Sequence, residues 1–132
     1  MCNEVARCTP ATPLIDSADV VDATVAVLTE PSRRGRTHAL TGPFALTWPE
    51  VAARQTHVLQ RPIHYEAVSI EERRARLEAA GLAPWRVELL LGLDDVNRAN
   101  LYATPTDTVR QLTGHLPRSI EECIDRNRTT FS

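Results

Sequence analysis

Three Ser/Thr-x-x-Glu sequences constrain the fold of this chain more than any other feature. They begin at Thr47, Ser69 and Ser119, and each has a glutamate three residues later. In such a capping box the hydroxyl accepts a hydrogen bond from a first-turn backbone N–H, and the glutamate reaches back to the N–H of the capping residue. Each box therefore marks a helix start, and prolines and glycines mark the ends. The pattern predicts a fold built mainly from short helices.

Apolar spacing predicts further helices outside these boxes. Residues 13–31 have apolar positions at helical spacing, with Asp16 or Ser17 as the N-cap. Another helix is predicted to begin at Pro84, and its apolar stripe indicates a central buried helix. A short helix is predicted from Pro105 to Thr113, so the total is five or six helices. The stripe of the Pro84 helix consists of Trp85, Leu89, Leu93 and Val96, and it is widened by Leu90, Leu91 and Leu101.

Two short segments have the composition or alternation of β-strands. Residues 36–43 end at a Gly-Pro turn, and residues 63–69 alternate between two faces. Because a helix separates them, we expect them to be parallel neighbours joined by a right-handed crossover. The predicted fold class is α+β and mostly helical, with an extended N-terminal arm over residues 1–13 and a single domain over residues 14–132.

The composition argues against several classes of function. The net charge of −2 gives no general attraction to nucleic acid, and no apolar run approaches the length of a membrane span. Three cysteines without CxxC spacing predict free thiols and a cytoplasmic protein. All fifteen basic residues are arginine, so neither a Schiff base nor a Walker-A lysine is possible.

The densest polar cluster lies in the predicted central helix. Asp94, Asp95 and Asn97 interrupt an apolar sequence, and Arg98 follows. A carboxylate that faced a pocket would lose hydration, which would raise its pKa into the range useful for general acid/base catalysis. The alternative is that the carboxylates face solvent or pair with Arg98. We predict catalytic roles for Asp94 and Asp95 and a substrate contact for Asn97.

Two histidines and several aromatic residues are further candidates. His38 and His64 lie on the predicted strands and could form a proton-transfer pair, but no third ligand at recognisable spacing supports a metal site. Both are also explained as surface or hydrogen-bonded core histidines. Large aromatic residues are usually buried, yet they also line small-molecule pockets. The aromatic candidates for substrate binding are Trp48, Tyr65, Trp85 and Tyr102.

The order of these segments resembles the second half of NmrA-like proteins, which are atypical short-chain dehydrogenase/reductases. The resemblance extends from Pro13 to Phe131 and is most specific in IDSADV, LTGP and LTGHLPRS. It implies that Asp16 borders the ligand cleft and that Trp85 shapes the substrate pocket. The sequence LGLDDVNRAN is more acidic than is usual in such proteins.

The resemblance leaves three functions open. No two glycines are close enough for G-x-G-x-x-G, and without lysine the Tyr-x-x-x-Lys pair is absent, so we expect no bound cofactor. The first hypothesis is a cofactor-independent isomerase, cyclase or dehydratase that acts on a small carbonyl or polyketide-like substrate. The second is the substrate-binding part of an NAD(P)H-dependent oxidoreductase that needs a Rossmann-half partner. The third is a non-catalytic regulatory module. In each case we expect a homodimer, because the apolar surface left by a missing half must be covered.

Overall fold

The computed structural model of the protein describes residues 10–33, 35–101 and 104–131. Over these residues the fold is mostly helical, with six α-helices and one two-stranded sheet, so the predicted α+β class is confirmed. Two short 3₁₀ turns lie at Pro31–Arg33 and Arg128–Thr130. None of the described helices is long and apolar enough to cross a membrane. The helices are α1 (Ser17–Thr29), α2 (Trp48–Leu59), α3 (Ile70–Ala79), α4 (Pro84–Arg98), α5 (Thr108–Thr113) and α6 (Ile120–Arg126).

The helix starts lie where the capping sequences predict them. Thr47 and Ser119 both form complete capping boxes at the starts of α2 and α6. At α3 the Ser69 hydroxyl accepts from the Glu72 backbone N–H at 3.1 Å, which is half of the predicted box. Asp16 caps α1 by accepting from the Ala18 N–H at 2.8 Å. These contacts are local, so they depend little on the rest of the fold.

The prediction of two parallel strands was wrong. The sheet consists of β1 (Ala11–Thr12) and β2 (Leu46–Thr47), which pair antiparallel, with Ala11 opposite Thr47. Residues 36–43 and 63–69 contain no strand. The β1 strand lies within the predicted N-terminal arm, and residues 1–9 of that arm lie outside the described residues.

Threonine hydroxyls account for the two segments that fail to pair as strands. Thr41 Oγ1 accepts from the Thr106 N–H at 2.7 Å, and Thr106 Oγ1 donates to the Ala39 carbonyl at 2.8 Å. The Ile63 N–H donates to Thr56 Oγ1 at 2.9 Å. Backbone groups satisfied in this way do not need a strand ladder. The alternating pattern of residues 63–69 therefore does not correspond to a strand.

The helices pack in pairs around a small core. The contacting pairs are α1 with α5, α2 with α6, and α3 with α4. The buried apolar residues come from all of these elements except α3. They are Ala23, Leu46, Val51, Ala52, Val87, Leu91, Val109, Leu112 and Ile124.

Most of the predicted inward stripe of α4 is instead exposed, although its member Leu91 is buried and Val96 is half-buried. Trp85, Leu89 and Leu93 are 67%, 55% and 50% exposed, whereas Val87 and Leu91 are buried. Among the described elements α4 makes its main packing contacts with α3, so only a narrow face of α4 is covered. Helical spacing identified apolar positions correctly, but it placed Trp85, Leu89 and Leu93 in the core, and they lie at the surface.

Candidate functional site

A cleft of about 270 Å³ lies between α3, α4 and the start of α2. Its wall also includes the extended segment that leads into α3. We call it the α3–α4 cleft. It brings together four of the predicted site residues, Trp48, Tyr65, Asp94 and Asn97, which the chain separates widely. The complete lining is Pro10, Trp48, Tyr65, Glu66, Val68, Arg73, Asp94, Asn97 and Arg98.

Asp94 faces the cleft and forms an ion pair across the α3–α4 packing. Its Oδ2 accepts from Arg73 Nε at 3.2 Å, and the side chains are 30% and 40% exposed respectively. The sequence did not single out Arg73, because it lies in a run of exposed arginines and glutamates. Its position follows from the packing of α3 against α4, which no local pattern encodes. The predicted catalytic role of Asp94 stays a prediction.

Asn97 joins the cleft to the N-terminal strand. Its Oδ1 accepts from the Thr12 hydroxyl at 3.2 Å, and the neighbouring Asn100 Oδ1 accepts from the Ala11 N–H at 3.1 Å. Asn100 has a φ of 55°, a left-handed conformation that asparagine tolerates better than most residues. These bonds fix the end of α4 and leave the Asn97 Nδ2 as a donor in the cleft.

Asp95 has the arrangement that the sequence left open as an alternative. Its carboxylate accepts from Arg98 Nη1 at 3.0 Å, one helical turn away, and is 68% exposed. Asp95 does not line the cleft, although Arg98 does. A pair this exposed contributes little to stability because water and salt screen it.

The remaining predicted site residues do not join the cleft. His38 lines a separate apolar cavity of about 190 Å³ against α1 and α5, and His64 is exposed. Because the strands that would have made them neighbours do not form, the basis for a His38–His64 pair is gone. Trp85 is exposed on α4 and is absent from the cleft lining. Tyr102 lies outside the described residues.

Asp16 holds the fold together rather than lining the α3–α4 cleft. Its side chain is buried, caps α1 and accepts from the Arg126 guanidinium of α6. Burial by itself would raise the pKa of this carboxyl. The Ala18 N–H and Arg126 outweigh that effect, and the pKa is lowered. Beside it, burial raises the pKa of the Cys123 thiol, which makes this cysteine a poor nucleophile.

Asp19 makes a second link between α1 and the chain before α6. It is fully buried, and its Oδ2 accepts from the Arg118 backbone N–H at 2.7 Å while Oδ1 accepts from the guanidinium. The same guanidinium donates to Asp22 at 2.9 Å, and these contacts raise the pKa of Arg118. The sequences IDSADV and LTGHLPRS, which carry much of the resemblance, are therefore in direct contact.

One group of side chains in this region has the composition of a metal site. His115 Nε2 lies 3.3 Å from an Asp22 oxygen, and Asp19 completes a group whose ligand atoms are within 4.8 Å of one another. However, the Arg118 guanidinium already pairs with both carboxylates. We therefore interpret these residues as an electrostatic link between elements.

The described residues do not provide a dinucleotide-binding turn. Gly35, Gly81 and Gly114 have positive φ and lie in loops or at helix ends, and Gly92 lies inside α4. Gly42 packs against the Leu14 carbonyl. None lies between a strand and the start of a helix, where a phosphate-binding turn would be. The described part of the chain therefore offers no glycine turn for a dinucleotide pyrophosphate.

The chain is similar to part of several curated dehydrogenases and reductases. It is 32% identical over 118 residues to the (4-alkanoyl-5-oxo-2,5-dihydrofuran-3-yl)methyl phosphate reductase of Streptomyces griseus, covering 89% of this chain and 42% of the relative. It is 29% identical over 119 residues to agroclavine dehydrogenase of Claviceps fusiformis, covering 90% and 41%. It is 27% identical over 117 residues to NAD(P)H azoreductase of Xenophilus azovorans, covering 89% and 41%. The chain thus spans about two fifths of the length of these relatives.

Solved structures show the same fold. The NADPH-dependent quinone oxidoreductase of Escherichia coli in complex with NADPH matches with a TM-score of 0.82 at 22% identity, covering 91% of this chain and 42% of that one. The triphenylmethane reductase of Citrobacter sp. matches with a TM-score of 0.77 at 21% identity, covering 89% and 41%. No family model matches the chain.

Proposed function

We propose that this chain is the substrate-binding part of an NAD(P)H-dependent oxidoreductase related to NmrA-like proteins, and that the α3–α4 cleft receives the substrate. The observation that carries the proposal is the cleft itself, which joins aromatic walls to arginine and amide donors in a chain similar to reductases over most of its length. Small-molecule sites commonly combine apolar walls with a few polar groups in this way.

The comparisons favour the second of the three hypotheses. The three curated relatives are named as a dehydrogenase, an azoreductase and a reductase of a dihydrofuran-methyl phosphate. A cofactor-independent acid/base reaction would need a carboxylate free to exchange protons. Asp94 instead pairs with Arg73, and Asp95 pairs with Arg98. Each of these carboxylates is therefore already bound by a guanidinium of the chain itself.

The described residues would bind and orient the substrate. Trp48 and Tyr65 offer flat surfaces for a conjugated ring, while Arg73 and Asn97 offer donors to its oxygen atoms. A nicotinamide cofactor supplies hydride when it is bound. Because the described residues provide no phosphate-binding turn, the cofactor would be held by residues outside them. Contacts made by this chain would still contribute part of the binding free energy of the substrate.

Trp48 gives a direct test of substrate binding in the cleft. In the Trp85→Phe variant Trp48 is the only tryptophan, so the fluorescence reports on the cleft. We expect 1,4-naphthoquinone to quench it with a saturable curve. In the matched Trp48→Phe variant, where Trp85 remains on an exposed face, quenching should stay linear as for free collisions. Linear quenching of Trp48 would argue against a substrate site in the cleft.

A titration with NADPH tests the division of roles. We expect the chain alone to show no saturable binding of NADPH, because it lacks the turn that would hold the pyrophosphate. We also expect no conversion of a conjugated ketone by the chain alone, since no hydride donor is held. Isomerisation or dehydration of such a ketone without cofactor would contradict the proposal and favour an acid/base enzyme.

A further inference from the structure

Arg73 carries more hydrogen-bond donors than its neighbours use. A guanidinium has five N–H donors, and Arg73 uses only its Nε, which donates to Asp94. Neither of its terminal nitrogens has a partner among the described residues. Because Asp94 holds the Nε edge, the planar group is restrained while its outer edge stays available. That edge has the geometry that binds carboxylates and phosphates through two parallel hydrogen bonds.

Two further residues of the lining also have N–H groups without a partner among the described residues. Arg98 donates to Asp95 through Nη1 alone, and the Asn97 Nδ2 has no partner among the described residues. Both residues come from the last turn of α4, one turn after Asp94. The cleft therefore contains two guanidinium groups, each restrained by a carboxylate through a single nitrogen, and an amide donor beside them.

Each acidic residue of the lining is bound by an arginine through one of its two carboxylate oxygens. The second acidic residue of the cleft, Glu66, accepts from both terminal nitrogens of Arg76 at 3.2 Å, and Arg76 does not line the cleft. Asp94 is engaged by Arg73. The lining thus has two acidic and two basic residues. Among the described residues one oxygen of Asp94 and one of Glu66 have no partner, but the guanidinium and amide nitrogens without a partner are more numerous. A ligand that satisfies it must supply acceptors, and negatively charged oxygens form the strongest such bonds.

We infer that the α3–α4 cleft binds a small conjugated ligand that carries a carboxylate or a phosphate, with the anionic group on the outer edge of Arg73 and the ring against Trp48 and Tyr65. The inference rests on the proposed function only in that the cleft receives the substrate. A cleft of about 270 Å³ is at the small end for ligand sites, so the ring system is no larger than two or three fused rings.

Three naphthalene probes distinguish the contribution of the anionic group to binding from that of the ring. The test measures binding of 2-naphthoate, 2-naphthyl phosphate and 2-naphthamide to the full chain by isothermal titration calorimetry. We expect at least one anion to bind about tenfold more tightly than the amide, as for one charge-assisted contact of about 1.4 kcal/mol. The stronger of the two anions identifies whether the natural group is a carboxylate or a phosphate.

Arg74 provides a matched control for Arg73. Both are in α3, both side chains are 40% exposed and both pair with an acidic residue of α4, but Arg74 does not line the cleft. We expect Arg73→Gln to abolish the preference for the anion over the amide. Arg74→Gln, which removes the same charge, should retain it. An equal loss in both variants would show a general charge effect and overturn the inference.

The remaining outcomes also decide between the two proposals. Equal binding of all three probes would overturn the anion site and leave a substrate cleft in place. Absence of binding by every probe would overturn both. Should Arg73→Gln fail to give a cooperative thermal transition, Arg98→Gln tests the same site. It should weaken the anions several-fold and leave the amide unchanged, and an unchanged preference would count against the inference.

Discussion

At the scale of single residues, Gly42 shows how closely the backbone of this chain packs on itself. Its N–H donates to the Pro13 carbonyl at 3.1 Å, and a Cβ added at this position would lie 1.8 Å from the Leu14 carbonyl oxygen. Only glycine allows two backbone segments to approach in this way. The LTGP turn is therefore tied directly to the segment that leads into α1.

We predict that replacing Gly42 and Gly92 by alanine changes the stability of the protein in opposite directions. Gly42→Ala should lower the free energy of unfolding by roughly 3 kcal/mol, because a rigid backbone carbonyl must move. Gly92→Ala, inside α4 with no atom within 4 Å of the new methyl group, should raise it by about 0.5 to 1 kcal/mol. Urea titrations of both variants would measure the two changes. An unchanged free energy of unfolding in Gly42→Ala would contradict the close approach of this turn to Leu14.

The buried carboxylate of Asp16 predicts how the stability of the protein depends on pH. Its pKa is lowered from the ordinary value of 3.8, so the folded state binds its proton more weakly than the unfolded state does. The stabilisation is therefore present above pH 3.8 and is lost as the pH falls through the folded pKa. We expect Asp16→Asn to be less stable than the wild type at neutral pH and to converge with it in acid.

The matched control for Asp16 is an exposed aspartate. Asp125 pairs with Arg128 one turn away and is 65% exposed. Asp125→Asn should therefore follow the wild type closely across the same pH range, because exposed pairs contribute little. Denaturant unfolding at a series of pH values measures all three proteins. A gap between Asp16→Asn and the wild type that persists unchanged in acid would argue against the ionised Arg126 pair.

At the scale of secondary-structure elements, α4 has two apolar faces with different environments. Val87 and Leu91 are buried against the rest of the fold, while Trp85 and Leu89 lie on the exposed side. Helical spacing alone cannot tell which of two apolar faces is covered, because both repeat every three or four residues. Which face is covered depends on the element that packs against the helix, and for α4 the main such element is α3.

A pair of leucine variants tests this assignment. We expect Leu91→Ala to lower the free energy of unfolding by about 2 to 4 kcal/mol, since it removes buried methyl groups and leaves a cavity. Leu89→Ala, at a position 55% exposed, should change it by less than about 1 kcal/mol. Thermal or urea unfolding gives both values. The reverse order would mean that the outer face of α4 is the buried one.

At the scale of the whole molecule, the described residues leave two apolar stripes exposed. On α1 the stripe consists of Val21, Val25 and Leu28, which are 59%, 53% and 70% exposed, and on α4 it is the Trp85 face. Contiguous exposed apolar surface of this kind marks an interaction site. The relatives are more than twice as long as the matched region, so in them further residues are available to cover such surface.

We propose that the chain alone covers one of these stripes by forming a homodimer. Sedimentation equilibrium at micromolar concentration should give the mass of two chains. Val25→Glu and Leu89→Glu each place a charge on one stripe, so the variant whose stripe forms the interface should be monomeric and the other should remain dimeric. A monomeric wild type would contradict the proposal, and two dimeric variants would place the interface elsewhere.

Features that depend on residues close together in the chain could be predicted from the sequence. The capping boxes at Thr47 and Ser119, the N-cap at Asp16 and the glycine end of α5 all involve partners within four residues. Their energies are nearly the same in any fold that contains the helix. For the same reason the number of helices and the α+β class could be predicted.

Contacts between residues far apart in the chain follow from the packing of the helices. Arg73 contacts Asp94 across 21 residues of chain, Asn97 contacts Thr12 across 85, and Arg126 contacts Asp16 across 110. Such pairs depend on how the helices pack, and no local pattern distinguishes Arg73 from the arginines beside it. The sequence could therefore nominate Trp48, Tyr65, Asp94 and Asn97. Their assembly into one cleft, and the exclusion of Trp85 from it, follow from helix packing alone.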